Sequence, residues 1–135
     1  MAYKIDQIEG VGDVYAAKLN AHGVKTTDDL LAACAKKSGR VKMAEATGIS
    51  EKLILRWTNH ADLFRINGVA GQFAELLEAA GVDTVKEFRH RVAANLQPKM
   101  EEVNNAKNLC NRVPAVKELE KMIEQAKTLD PIIEY

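Results

Sequence analysis

Two glycine-rich turns are the residues in this chain best suited to chemistry, and the chemistry would be done by backbone. Gly10-Val11-Gly12 and Gly68-Val69-Ala70-Gly71 each precede an amphipathic segment. Glycine reaches positive φ at almost no cost and lets a ligand come close to the main chain. Amides of such a turn, together with the first amides of a following helix, can converge on one anion such as a phosphate. Contacts of this kind hold a backbone without reading bases. Side chains offer less. His22, His60 and His90 have no cysteine or carboxylate beside them at metal-ligand spacing, so no metal and no cofactor is expected. Asp28-Asp29 and Glu101-Glu102 are adjacent pairs, which point about 100° apart on a helix and do not converge for acid–base work. Gly68 to Gly71 lacks the lysine and following hydroxyl of a phosphate-binding loop. No catalytic residue is assigned and the expectation is a non-enzyme.

The elements around the turns repeat. Residues 8–30 align without gaps on residues 66–88, at an offset of 58. Ile8/Ile66, Gly10/Gly68, Val11/Val69, Tyr15/Phe73, Ala16/Ala74, Leu19/Leu77, Ala21/Ala79, Gly23/Gly81, Val24/Val82, Thr26/Thr84 and Leu30/Phe88 correspond. These are the apolar, glycine and cap positions that set a backbone. The spacing predicts a helix from about Asp13 to His22, with Val14, Tyr15, Ala16 and Leu19 apolar, stopped by Gly23 in the left-handed conformation. Asp13 has the chemistry of its N-cap. The next helix starts at Thr26, and Thr84 to Glu87 has the spacing of a capping box.

Further along, Ser38-Gly39 reads as a break before a short segment ending at Ala46. Ser50 reads as the N-cap of a helix from Glu51 to about Phe64, with Leu53, Ile54, Trp57, Ala61 and Phe64 near one face. Asn95 reads as a cap with Pro98 in the first turn. Pro114 precedes a last helix striped by Val116, Leu119, Met122, Ile123, Ala126 and Leu129, which Asp130-Pro131 ends. No stretch alternates with period two. The expected fold is all-α: two tandem repeats, 1–60 and 61–112, then a C-terminal helix and tail, 113–135, packed on them. Trp57 is expected in the core joining the halves, and the tail Ile132 to Tyr135 is expected to dock.

Ile8-Glu9-Gly10-Val11-Gly12 followed by Ala16, Leu19, Gly23, Val24 and Thr26 resembles the helix-hairpin-helix family. The whole chain also resembles a bacterial family of unknown function that carries two such units. The resemblance implies hairpins that grip a double-stranded DNA backbone independently of sequence. Carried onto this chain, the binding residues would be Gly10, Val11 and Gly12, and Gly68, Val69 and Gly71. Supporting charge would come from Lys36, Lys37, Arg40 and Lys42, or from Arg89 and Arg91.

Other features pull against that grip. Lysine plus arginine number 19 and aspartate plus glutamate also 19, so the chain lacks the basic excess of a strong nucleic-acid binder. Residues 1–60 carry nine basic and seven acidic side chains, and 61–135 carry ten and twelve. Glu9 and Asp13 flank the first turn, and Asp13 as N-cap would fill the amides a phosphate needs. Ala70 replaces the second glycine, and an alanine at positive φ costs about 1 kcal/mol, so that turn is expected to distort or shift onto Gly71. The alternative reading is a protein-interaction or scaffolding module, with a protein partner or a second copy of the chain as a homodimer. Cys34 and Cys110 read as isolated core thiols. Met1 to Asp6 lacks the apolar run of a signal peptide and nothing approaches a membrane span, so a cytoplasmic, membrane-free protein is expected.

Overall fold

The computed structural model describes residues 3–135, so the first two residues of the Met1–Asp6 segment and of the 1–60 repeat lie outside it. A single 3-10 turn, Ile5–Gln7, leads into eight α-helices: α1 (Gly12–Ala21), α2 (Thr27–Cys34), α3 (Lys37–Thr47), α4 (Glu51–Leu63), α5 (Gly71–Ala79), α6 (Val85–Phe88), α7 (Ala93–Lys107) and α8 (Val116–Thr128). Among the described residues there is no strand, only one bridge between Lys4 and Thr26. The fold is all-helical, as the sequence indicates.

The paired positions take the same places. Ile8 and Ile66, Val11 and Val69, Leu19 and Leu77, Val24 and Val82, and Leu30 and Phe88 are all buried in one continuous core. Gly23 and Gly81 stop α1 and α5 at φ 84° and 97°. The amides of Val24 and Val82 return to the carbonyls of Leu19 and Leu77 at 2.9 and 2.8 Å. Thr26 caps α2 in a full capping box with Asp29, and Thr84 Oγ1 accepts from Glu87 N at 3.3 Å. Burial of this apolar set, at roughly 25 cal/mol per Å² removed from water, is what holds the helices together.

The connecting elements differ from expectation in ways that packing explains. Ser38-Gly39 breaks nothing: both lie inside α3, which Gly48 ends at φ 75°. Gly39 is there because α3 crosses the end of α2 at close range. A Cβ at Gly39 would lie 2.0 Å from the Ala33 carbonyl oxygen. Replacing a helical glycine by alanine ordinarily gains up to about 1 kcal/mol. Here the contact with backbone reverses the sign, and Gly39→Ala is expected to cost about 2 kcal/mol in urea unfolding. A raised urea midpoint would disprove the close crossing.

Ser50 caps α4 through Leu53 N as expected, at 3.2 Å. α4 runs unbroken to Leu63, so the boundary placed after residue 60 falls inside a helix. Ile54, Trp57, Ala61 and Phe64 are buried, and α4 packs on α2, α3 and α5. α7 starts at Ala93, a turn-fraction earlier than an Asn95 cap would place it, which puts Pro98 inside the helix. The proline faces solvent, where water can satisfy the carbonyl it leaves unpaired. The α8 stripe meets α6 and α7 through Leu119, Ile123 and Ala126. Val14 is the apolar residue that escapes: it is 71% exposed on α1.

Candidate functional site

The first turn is open. Gly10 and Gly12 take φ 91° and 63° on either side of Val11, whose helical φ/ψ and buried side chain anchor the turn. The Val11 amide is spent on the Ile8 carbonyl at 3.3 Å. The amides of Gly12, Asp13 and Val14 open α1, carry exposed residues and meet no acceptor among the described residues. The expectation that Asp13 caps α1 is corrected. The N-cap is Val11, and no side chain bonds the first-turn amides. Gly12 in the left-handed region already belongs to the helix, which carries Asp13 one position past the cap.

The second turn, though Asn67 and Gly68 are exposed, is flanked by α8 and by the first turn. Gly68 takes φ 87° and Val69 N bonds the Ile66 carbonyl at 3.1 Å, as in the first. Then the two diverge. Ala70 is extended, φ −152°, so it avoids positive φ altogether, and α5 starts one residue late, at Gly71. The far side is filled by α8. Asn67 N donates to Gln125 Oε1 at 2.9 Å, and Gln125 Nε2 donates to the Arg65 carbonyl at 3.4 Å. A Cβ at Gly68 would lie 3.3 Å from Met122 Cε. The start of α5 is filled by the first turn. A Cβ at Gly71 would lie 3.2 Å from the Gln7 carbonyl oxygen and 3.5 Å from Glu9 Oε1. Glu9 therefore turns its carboxylate to the N-terminus of α5, a favourable place for negative charge. An external phosphate at Gly68, Val69 and Gly71 would have to displace Glu9, Gln7 and α8.

The basic residues are divided too. Lys36, Lys37 and Lys42 are exposed at and after the start of α3. Arg40, expected with them, is only 2% exposed. Its Nη1 donates to the carbonyls of Cys34 and Ala35 at 3.1 and 3.0 Å, and its Nη2 to the Glu134 carbonyl at 2.7 Å. It thus caps the C-terminus of α2 instead of facing solvent. Arg91 behaves alike at α5, donating to the Ala80 and Gly81 carbonyls at 3.3 and 3.1 Å. Arg89 is half-buried.

One polar cluster went unread in the sequence. His60 is fully buried on α4, with its Nε2 3.1 Å from Glu78 Oε2 but not in line for a hydrogen bond. Arg56 Nε donates to Glu78 Oε1 at 3.1 Å. Burial alone would raise the Glu78 carboxyl pKa, but the His60 and Arg56 contacts outweigh it and hold the group below its usual range. Burial, with Glu87 and Glu78 nearby, pushes Asp83 up. These charges edge a groove of about 420 Å³ lined also by Lys52, Leu53 and Asn59. Among the described residues no three His, Cys, Asp or Glu side chains gather as metal ligands. Burial raises the Cys34 thiol to about 11 and also raises Cys110. Such thiols are poor nucleophiles. No described helix is long and apolar enough to cross a membrane.

Fold and site together define an all-helical protein with two related glycine turns, one leading into an exposed helix start and one whose helix start packs against Gln7 and Glu9. The chain matches, over residues 9–129, the family described as Domain of unknown function (DUF4332), and it belongs to that family. No curated protein and no solved structure matches it.

Proposed function

We propose that this chain is a non-enzymatic helix-hairpin-helix protein. Its first hairpin makes a weak, sequence-independent contact with the DNA backbone, and its second serves as a packing joint. The observation that carries the reading is the open first turn of α1: the amides of three exposed residues behind Gly10 meet no acceptor among the described residues. That arrangement suits an anion at a helix N-terminus. Glu9, the carboxylate most damaging to such a contact, is directed to α5 instead. One hairpin gives one grip, and zero net charge supplies little long-range attraction, so the binding is weak.

The test is fluorescence anisotropy against a random duplex at about 50 mM salt, where backbone contacts are strongest. We expect a Kd of about tens of micromolar that weakens steeply with salt. Gly12→Val is expected to reduce affinity at least about tenfold with helicity retained, since it blocks the approach to the amides. Gly68→Ala is expected to leave affinity unchanged, because the start of the helix behind that turn lies against Gln7 and Glu9. Absence of binding by the parent chain at such concentrations would sink the hairpin contact.

A second reading, a protein-interaction module, is favoured by Val14. It is 71% exposed one residue beyond Asp13, an apolar and acidic rim that fits a protein surface better than a phosphate chain. It prevails if the duplex is ignored and a partner is retained through Val14.

A further inference from the structure

The segment after α8 crosses back to the first half of the molecule and sits on Arg40. Leu129 leaves the helix in an extended conformation, and Asp130-Pro131 starts a run with no helical or strand structure. Ile133 packs against the core edge. Glu134 then makes two main-chain bonds. Its amide donates to the Ala35 carbonyl at 2.8 Å, and its carbonyl accepts from Arg40 Nη2 at 2.7 Å. Tyr135 is 69% exposed, its ring 6.0 Å from Arg40 Cζ and its hydroxyl 3.4 Å from Asn59 Oδ1. Beneath the segment lies a small void of about 60 Å³, lined by Asp62, Thr84, Lys86 and the segment itself.

We propose that residues 130–135 are a detachable strap that covers a second nucleic-acid-backbone contact, formed by Arg40 with Lys36 and Lys37. The argument is one of charge and of attachment. Lys37 lies one turn before Arg40 on α3 and so neighbours it, and Lys36 is the N-cap residue beside it. With the strap seated, the guanidinium that matches a phosphate best is capped, and Glu134 brings a carboxylate to the same edge. Arg40 is also incompletely satisfied there, because its buried Nε has no partner. The strap is held by two bonds to the Glu134 main chain, one long side-chain bond and two half-buried isoleucines. Segments with so few buried contacts open without global unfolding. Opening frees Nη2 and exposes the guanidinium beside two lysines. This inference rests on the nucleic-acid reading but not on the first hairpin.

The experiment uses the full chain and the neutral variant Ile133→Ser, with Ile132→Ser/Ile133→Ser as a second, stronger release. Native-state hydrogen exchange reads the strap directly at the Glu134 amide. That amide is expected to exchange faster than α4 amides in the parent chain and faster still in the variants. Anisotropy against the same random duplex at about 50 mM salt is expected to show a roughly three- to tenfold gain in affinity on release. The log–log salt slope should steepen by about one, the signature of one added phosphate contact. Adding Arg40→Met should return both values to those of the parent. Released straps with unchanged affinity and slope would overturn the proposal, as would a gain that survives Arg40→Met. Loss of binding in Gly12→Val with no gain in Ile133→Ser leaves the hairpin contact standing and the strap fallen. Binding by Ile133→Ser where the parent chain shows none gives the reverse.

Discussion

Trp57→Ala is expected to destabilise the protein by about 4 kcal/mol, the largest effect of any single substitution considered. The side chain is fully buried on α4 and makes the first turn's floor. Its ring lies 5.1 Å from that of Tyr15 at a tilt of 58°. A Cβ at Gly10 would come 3.7 Å from its Nε1. Removing the indole therefore empties the space under Gly10 and beside α1 at once. The same burial has a cost, because Nε1 has no hydrogen-bond partner. A buried donor left unpaired costs about 1–3 kcal/mol. Trp57→Phe loses part of the volume but also removes that donor, so its net cost is expected near 1 kcal/mol. Urea unfolding followed by far-ultraviolet circular dichroism measures both. Equal losses for the two variants would show that the unpaired indole N–H carries no cost in the folded protein. A loss below about 2 kcal/mol for Trp57→Ala would show that the turn is not supported by the ring.

The same turn shows what could be read from the chain and what could not. Glycines 10, 23, 68 and 81, the threonine caps and the apolar pairs are local signals. Each states a backbone conformation or a face, and each is found as expected. The misplaced features answer to partners distant in sequence. Arg40 reads as part of a basic run, yet carbonyls from α2 and from residue 134 draw it inward. Gly39 reads as a breaker because the sequence does not disclose that Ala33 lies against it. Glu9 reads as a guard on its own turn, whereas it faces a helix 62 residues on. Val14 fits a helical apolar pattern but falls on the outward side of α1. The buried His60 and its Glu78 partner lie outside or at unmatched positions of the repeat, so comparison of the two copies could not flag them.

The two turns differ in what lies against the helix start behind each. Gln7 and Glu9 lie on the start of α5, while α8 contacts the exposed Asn67 and Gly68. Nothing equivalent follows the first unit, because the chain there continues into α3 and α4. The substitution of glycine by Ala70 fits the covered position, where an extended residue serves and positive φ is not needed.

Asp62→Ala is expected to cost about 3 kcal/mol, through a contact that replaces in the second unit one made by main chain in the first. The first amide of α2, Thr27 N, donates to the Tyr3 carbonyl at 2.8 Å. Its counterpart Val85 N, the first amide of α6, donates to Asp62 Oδ2, also at 2.8 Å. Asp62 is buried, and its Oδ1 accepts from Arg65 Nη1 at 2.7 Å. Alanine leaves a nearly buried guanidinium and a buried N–H without their acceptor, which is why the loss exceeds that of a surface ion pair. Asp62→Asn keeps an oxygen for Val85 and is expected to lose about half as much. Arg65→Met in the Asp62→Ala background removes the stranded charge, so the double variant should recover at least about 1 kcal/mol relative to additivity. Strict additivity in urea unfolding would mean that Arg65 is solvated in the native state and that the α6 amide alone depends on Asp62. Recovery would establish Asp62 as the side chain that ties α4 to the second unit, the role Tyr3 fills by backbone in the first.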